Sequence, residues 1–359
     1  MKRPARRQKL DAGQLPGPGG NDPTPAPIPF TRVSSVLPVI DFLDAIGAPT
    51  ESLLRRARIS SSLSSDAEAI VPLHLVHNFA EQAARREGIS NLGLLIGQHT
   101  SAFDLGTFGQ RLQRALTVHA YLQTGIRLIG AATSGGRFWL TTDGDRVRFN
   151  QFTPGQPGAG RCHADCYTLA ITINMLRRFG DPHWSPDEIC LLEGDEWLLG
   201  DRTFFGDARI VTGQPHTSFT IPGSLLQRPM PGRPLSEVQT KDALPASPPA
   251  MPTDFPGAVE QLVIGMLADG YPDVHLASEV AGVSVRTLQR RLAASGFSYS
   301  EIVNQARMRL AGAWLRSTNM PITEIAESLG YSDVANFARA FRRQTGMSPR
   351  SFRQMAADS

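Results

Sequence analysis

Cysteine is scarce in this chain. Three thiols among 359 residues (Cys162, Cys166, Cys190) cannot close the disulfide framework that holds small secreted domains together. Long hydrophobic runs are missing as well. No stretch approaches the ~18 apolar residues of a membrane span. The basic N-terminus (Lys2, Arg3, Arg6, Arg7, Lys9) leads into Gly and Pro, not into the apolar segment of a secretory signal. These features point to a reducing cytoplasm and to no membrane partner. The usual catalytic signatures are also lacking: there is no Walker A loop, no dinucleotide fingerprint behind a strand and no Gly-x-Ser-x-Gly elbow. Asp165, His163 and scattered serines do not by themselves make a triad. Cys162, His163 and Cys166, with His183 and His216, lack the second CxxC pair of a zinc set. Free cysteine entering an amphipathic helix is more simply a small buried hydrophobe. The expectation is a chain that is not an enzyme, with no metal and no cofactor.

What is present fits a globular protein of about two folded units, with 41% hydrophobic and 19% charged residues. Its net charge of +3 conceals an asymmetry. Residues 273–359 hold 11 Arg, no Lys and 7 acidic residues, a net +4. Residues 1–20 are also net +4, which leaves the body between them at −5. A basic segment on an acidic body suits a nucleic-acid-binding module joined to something else.

Residues 1–30, rich in Pro, Gly and Ala, carry no hydrophobic period and read as a disordered tail. Residues 222–254 form a Pro-rich linker; nine of the 27 prolines fall between 222 and 256, and such a segment is extended and semi-rigid. Residues 31–221 read as a mixed α/β body. Helices are expected near Val36–Ile46, Glu51–Ala57, Pro72–Arg86, Val118–Ala131 and Cys166–Phe179. A hairpin is expected around Asp143-Gly144, and strands at Glu188–Glu193 and Thr217–Ile221.

Residues 255–359 read as all helix, with an internal near-repeat. Leu276–Leu292 is echoed by Ile322–Phe341: a short helix, a Gly turn, a capping Ser or Asp, and a second helix. This is helix-turn-helix grammar. In the first copy Gly282 permits the sharp turn and Ser284 can cap the next helix. With Leu288 set at zero and about 100° per residue, Leu292 and Val285 join it in one apolar stripe. Arg286 and Arg290 fall opposite, with Gln289 on the flank. Arg and Gln read G and A edges in the major groove, so Arg286, Thr287, Gln289 and Arg290 are candidate base readers. In the second copy Val334, Phe337 and Phe341 form the stripe, while Asn336 and Arg339 are candidate base readers on a face poorer in such groups. Ser284, Arg291, Ser332, Arg342 and Arg343 are candidate phosphate contacts. Between the copies, Tyr299–Ser317 makes a helix of ~28 Å at ~1.5 Å per residue. That length suits two recognition helices in successive major grooves of double-stranded promoter DNA, whose pitch is ~34 Å. The competing reading is a plain helical bundle whose arginines merely solvate it.

The stretch Pro321–Arg353 is similar to the signature of the AraC/XylS family of bacterial transcription regulators, over some thirty positions. The resemblance implies a seven-helix domain of two subdomains that binds promoter DNA and contacts RNA polymerase. Glu188–Glu193, Phe204-Phe-Gly and Phe219–Met230 resemble the "arabinose-binding type" N-terminal domain of a subset of these regulators, a label that names no ligand. The expected architecture is therefore α+β: an N-terminal mixed α/β effector domain and an all-α C-terminal domain with two helix-turn-helix subdomains joined by a long helix. A homodimer formed through the body is implied by the family likeness. For a small-molecule effector, Arg137, Trp139, Arg148, His163 and His216 are candidate contacts, and an anionic or aromatic molecule suits them. Two rivals stand beside this reading: an enzyme carrying a DNA module, and a ligand-independent DNA-binding protein whose body only dimerises.

Overall fold

The computed structural model describes residues 27–60, 66–192, 202–229, 250–267, 270 and 272–357. The N-terminal tail expected at 1–30 lies outside these except for its last residues. Those belong to the body: Ile28 and Phe30 are buried, and β1 (Phe30–Arg32) pairs antiparallel with β2 (Ile70–Pro72). Arg32 is buried and ties this small sheet inward. Its Nε donates to Ala131 O at 2.8 Å and its Nη1 to Glu68 O at 2.6 Å.

Helices α1 (Leu37–Ala45), α2 (Thr50–Arg56) and α3 (Leu73–Glu87) follow the sequence expectation. Two further helices, α4 (Leu92–His99) and α5 (Gly106–Leu112), precede α6 (Val118–Ala132), whose first turn is capped by Thr117. The hairpin β3 (Arg137–Asp143) and β4 (Arg146–Phe152) then leads to α7 (Ala159–Phe179). This helix begins seven residues before the expected start, so Cys162 and His163 lie on it. Strands β5 (Glu188–Cys190), β6 (Arg209–Val211) and β7 (Thr217–Pro222) complete a five-stranded sheet of order β3-β4-β7-β5-β6, antiparallel except for β5 and β6. The inner face of the sheet carries Phe149, Phe219 and Ile221 onto α7, which presents Leu169, Ile173 and Leu176. A short helix, α8 (Gly223–Leu226), opens the segment expected as linker, and residues 230–249 of that linker lie outside the described residues.

The C-terminal part is helical: α9 (Phe255–Leu267), α10 (Val274–Val280), α11 (Val285–Ala294), α12 (Tyr299–Ser317), α13 (Ile322–Ser328), α14 (Val334–Thr345) and α15 (Pro349–Ala357). Its two halves have separate apolar cores. Met308, Ala311 and Leu315 of α12 pack with Ile325, Leu329, Phe337 and Phe341. Ile302, Val303 and Ala306 of the same helix pack instead with α9, α10 and α11, in a core continuous with Leu54, Leu75, Phe79 and Ala83 of the N-terminal domain. The linker is therefore not the sole connection between the two units. The apolar residues of α9 and α10 share one core with those of α2 and α3, and α9 runs beside β2; that shared burial holds the first half of the C-terminal domain against the body.

Candidate DNA interface and effector cavity

Each helix-turn-helix is built by local capping. Asp273 accepts from the backbone N–H of His275 at 2.7 Å and of Leu276 at 3.3 Å, starting α10. The turn passes through Gly282 at φ +68°, a conformation that favours glycine. Ser284 Oγ then accepts from Thr287 N at 3.2 Å and lies 2.9 Å from Thr287 Oγ1. With Leu288 and Leu292 fully buried, α11 turns Arg286, Gln289 and Arg290 to solvent. These three side chains share one exposed face, as their spacing predicts. Thr287 is half-buried, and Arg291 lies to one side with its guanidinium 5.3 Å above the Phe255 ring.

In the second copy Asp333 caps α14, accepting from Asn336 N at 2.7 Å. The Asn336 amide also donates to the Asp333 carboxylate, and Arg339 Nη2 donates to Asn336 Oδ1 at 2.6 Å. Asp333, Asn336 and Arg339 thus form a polar chain along the exposed face, while Phe337 and Phe341 are fully buried beneath it. Ser332, Arg342 and Arg343 are exposed. The connecting helix α12 starts with a reciprocal capping box between Ser298 and Glu301, which fixes the origin of the rod between the two copies.

The N-terminal domain holds a partly open cavity of about 150 Å³ between α3, α4, α5, α6, α7 and the inner face of β3 and β4. Val76, Ile96, Leu122, Ile129, Phe138 and Phe149 supply much of its apolar wall, and its polar members are His77, His163, Ser35, Tyr121, Tyr167 and several threonines. Among the described residues lining it there is no Asp, Glu, Lys or Arg. Burial lowers His77 to about 4, with Arg161 and His74 acting in the same direction. Burial also lowers His163 to about 4, against the opposing pull of Glu81. Both rings are therefore neutral at pH 7. His163 Nδ1 accepts from Gly93 N at 3.4 Å, whereas His77 Nε2 is buried without a hydrogen bond.

Of the five residues expected to contact an effector, the structure brings only His163 to this cavity. Strand alternation explains three of the others, and His216 precedes β7. Phe138 and Phe149 point inward, so Arg137, Trp139 and Arg148, each one residue away, are directed elsewhere. Arg137 is exposed, 5.1 Å from the Phe152 ring. Trp139, Arg148 and His216 do meet, on the other face of the sheet. The Trp139 and His216 rings are 4.7 Å apart, and His216 Nε2 is 3.0 Å from Asn150 Oδ1. Arg148 Nη2 donates to Glu188 Oε1 at 2.6 Å and holds that carboxylate below its usual range. The cavity residues that sequence reasoning missed as contacts include His77 and Tyr167. A histidine inside the apolar stripe of α3 was the available signal.

Helix α3 belongs to both sites. Leu73, Val76, His77 and Ala80 face the cavity, while Leu75, Phe79 and Ala83 lie in the core shared with α9–α12. His74 rests against the first helix-turn-helix: a β-carbon added at Gly282 would meet its Nε2 at 3.2 Å. Beside it, Arg58 Nε pairs with Glu279 Oε1 of α10 at 3.1 Å.

Paired helix-turn-helix units with an arginine-bearing face, packed on an α/β domain, define a DNA-binding transcription regulator. A model of the arabinose-binding domain of AraC transcription regulators (N-terminal) matches residues 47–230, and a helix-turn-helix domain model matches residues 277–355. The chain belongs to the AraC family of transcription regulators. It is 22% identical over 333 residues to the HTH-type transcriptional regulator VirS of Mycobacterium tuberculosis, covering 90% of this chain and 96% of that protein. Shorter matches join it to two Pseudomonas aeruginosa proteins, the HTH-type transcriptional regulator VqsM (39% over 93 residues) and the ornithine utilization regulator (38% over 96). These span 29% and 28% of the two relatives. The crystal structure of the transcriptional regulator CdpR from Pseudomonas aeruginosa is 23% identical, covers 85% of this chain and 96% of that one, and superposes with a TM-score of 0.40. No helix among the described residues is long and apolar enough to cross a membrane.

Proposed function

We propose that this regulator reads two adjacent promoter subsites and is controlled by a small molecule held in the N-terminal cavity. On this reading Arg286, Thr287, Gln289 and Arg290 of α11 contact base edges at one subsite, and Asn336 and Arg339 of α14 do so at the next. Ser284, Ser332, Arg342 and Arg343 bind phosphates. Arg291, turned toward Phe255, supports α11 and lies at the margin of the phosphate contacts. The protein works in the cytoplasm, engages RNA polymerase as a partner, and dimerises through its body.

The observation that carries the reading is the double duty of α3. One face walls the cavity, the neighbouring face lies in the apolar core that continues into α9–α12, and His74 bears on the turn of the first helix-turn-helix. A ligand that prefers one placement of α3 shifts the population of DNA-reading conformations by its differential affinity for them. The test is selection of binding sites from a random duplex library with the full chain, followed by footprinting. Enrichment of a bipartite site with subsites about one helical turn (~34 Å) apart is expected. Selected duplexes bound no better than random ones at physiological salt would refute it.

A further inference from the structure

Resting on the reading of the cavity as the effector site, we infer that it takes an uncharged, predominantly apolar molecule about the size of one aromatic ring, carrying a single hydrogen-bonding group that meets His77. Of the anionic or aromatic molecule expected from sequence, this keeps the aromatic and drops the anionic.

Three observations carry the inference. The first is the wall: none of the described lining residues bears a formal charge, so an ionised ligand would be buried without a counter-charge, which is strongly unfavourable. Arg161, the cation nearest this region in sequence, is engaged elsewhere. Its guanidinium lies 5.6 Å from the Phe152 ring, its Nε is 3.6 Å from Asp165 Oδ2, and it does not line the cavity. The second is size. A cavity of about 150 Å³ is the volume that, when apolar, stays dry and admits a benzene-sized guest. The third is the polar handle. His77 is 7% exposed and lines the cavity, and its Nε2 is buried with no hydrogen-bond partner. Buried polar atoms are normally satisfied, so a hydroxyl or carbonyl on the guest repairs a deficit already present. The ring is neutral at pH 7 and offers no cation to attract a carboxylate.

The test uses isosteric probes on the full chain: benzyl alcohol, toluene, benzoate and benzylammonium, with binding measured by calorimetry at pH 7. Benzyl alcohol is expected to bind at least 30-fold tighter than either ion. His77→Phe is expected to weaken benzyl alcohol about tenfold while leaving toluene unchanged. Ala80→Leu, which fills space in the cavity wall, is expected to abolish binding of both neutral probes; Ala164→Leu serves the same purpose from α7 should the first variant fail to fold. Benzoate or benzylammonium binding as tightly as benzyl alcohol overturns the inference. So does no binding by either neutral probe, or neutral binding that survives both filling variants. Failure of the effector reading looks different: the neutral probes bind in the cavity as expected, yet DNA affinity is the same with the cavity occupied or empty.

Discussion

Replacing Arg290 with alanine and, separately, its neighbour Arg291 with alanine should give opposite outcomes, because one residue step on α11 changes what the side chain touches. Arg290 is exposed, and no hydrogen bond, ion pair or ring contact involves it among the described residues. Its removal costs the fold nothing, and alanine is the better helix former. Thermal stability should therefore stay within the range of a neutral surface change, about ±0.5 kcal/mol. On the proposed reading Arg290 pairs with a guanine edge, and a bidentate pair of that kind carries ~1–3 kcal/mol of discrimination. At ~1.4 kcal/mol per tenfold this is a loss of roughly 5- to 150-fold on the selected site. The loss should be far smaller on a duplex altered at the one base pair that Arg290 reads. Arg291 lies over Phe255 at 5.3 Å and is half-buried. Its removal should lower stability by ~0.5–1 kcal/mol through the lost cation–π contact, with no change in base preference. Fluorescence anisotropy across a panel of single-base variants, with denaturant melts of both proteins, separates the two. If Arg290→Ala keeps wild-type affinity and preference, or if Arg291→Ala is the variant that relaxes base preference, the assignment of the reading face is wrong.

Other consequences follow from the same geometry. Arg343→Ala should weaken selected and random duplexes alike and flatten the slope of log affinity against log salt by about one; a sequence-dependent effect in a salt titration would contradict its role as a phosphate contact. Unfolding should become pH-dependent below neutrality. His77 and His163 titrate near 4 in the folded chain and near 6.5 when unfolded, so the unfolded state binds more protons between these values. The stability they permit is complete above ~6.5 and is lost as pH falls toward 4, by up to ~2.7 kcal/mol per pH unit for the pair. Urea melts from pH 7.5 to 4.5 would show this, and curves unchanged by His77→Phe would count against it. The Arg58–Glu279 pair is about half exposed on both sides, so a double-mutant cycle should return only ~0.2–1 kcal/mol, shrinking at high salt. A larger coupling would mean that the two domains lean on this pair more than on their shared apolar core.

Much of the C-terminal domain was legible in the sequence because its signals are local. Ser284 and Asp333 cap α11 and α14 as expected, and Leu288, Leu292, Phe337 and Phe341 recur at helical spacing and are buried. The N-terminal domain hides more. Helix α4 is an apolar run with no polar face, because it is wedged against α7. Gly93 has the His163 backbone where a β-carbon would go, and this close approach leaves no periodic pattern to read. The true start of α7 at Ala159 sits behind a Gly- and Pro-rich lead-in without a side-chain cap. The cavity was the least visible feature. Its lining is contributed one or two residues at a time by several helices and strands, so no segment announces it. Choosing polar and aromatic residues by type instead selected Trp139, Arg148 and His216, a real cluster on the face of the sheet turned away from the cavity.

The division of α12 between two cores has a consequence for engineering. The first recognition unit cannot be exchanged alone, since its apolar residues share one core with the N-terminal domain. The second is enclosed by its own residues from Met308 onward. A chimera spliced within α12 just before Met308, with a foreign second unit downstream, should keep the native inducer response while acquiring new half-site specificity; the reciprocal graft should lose its response.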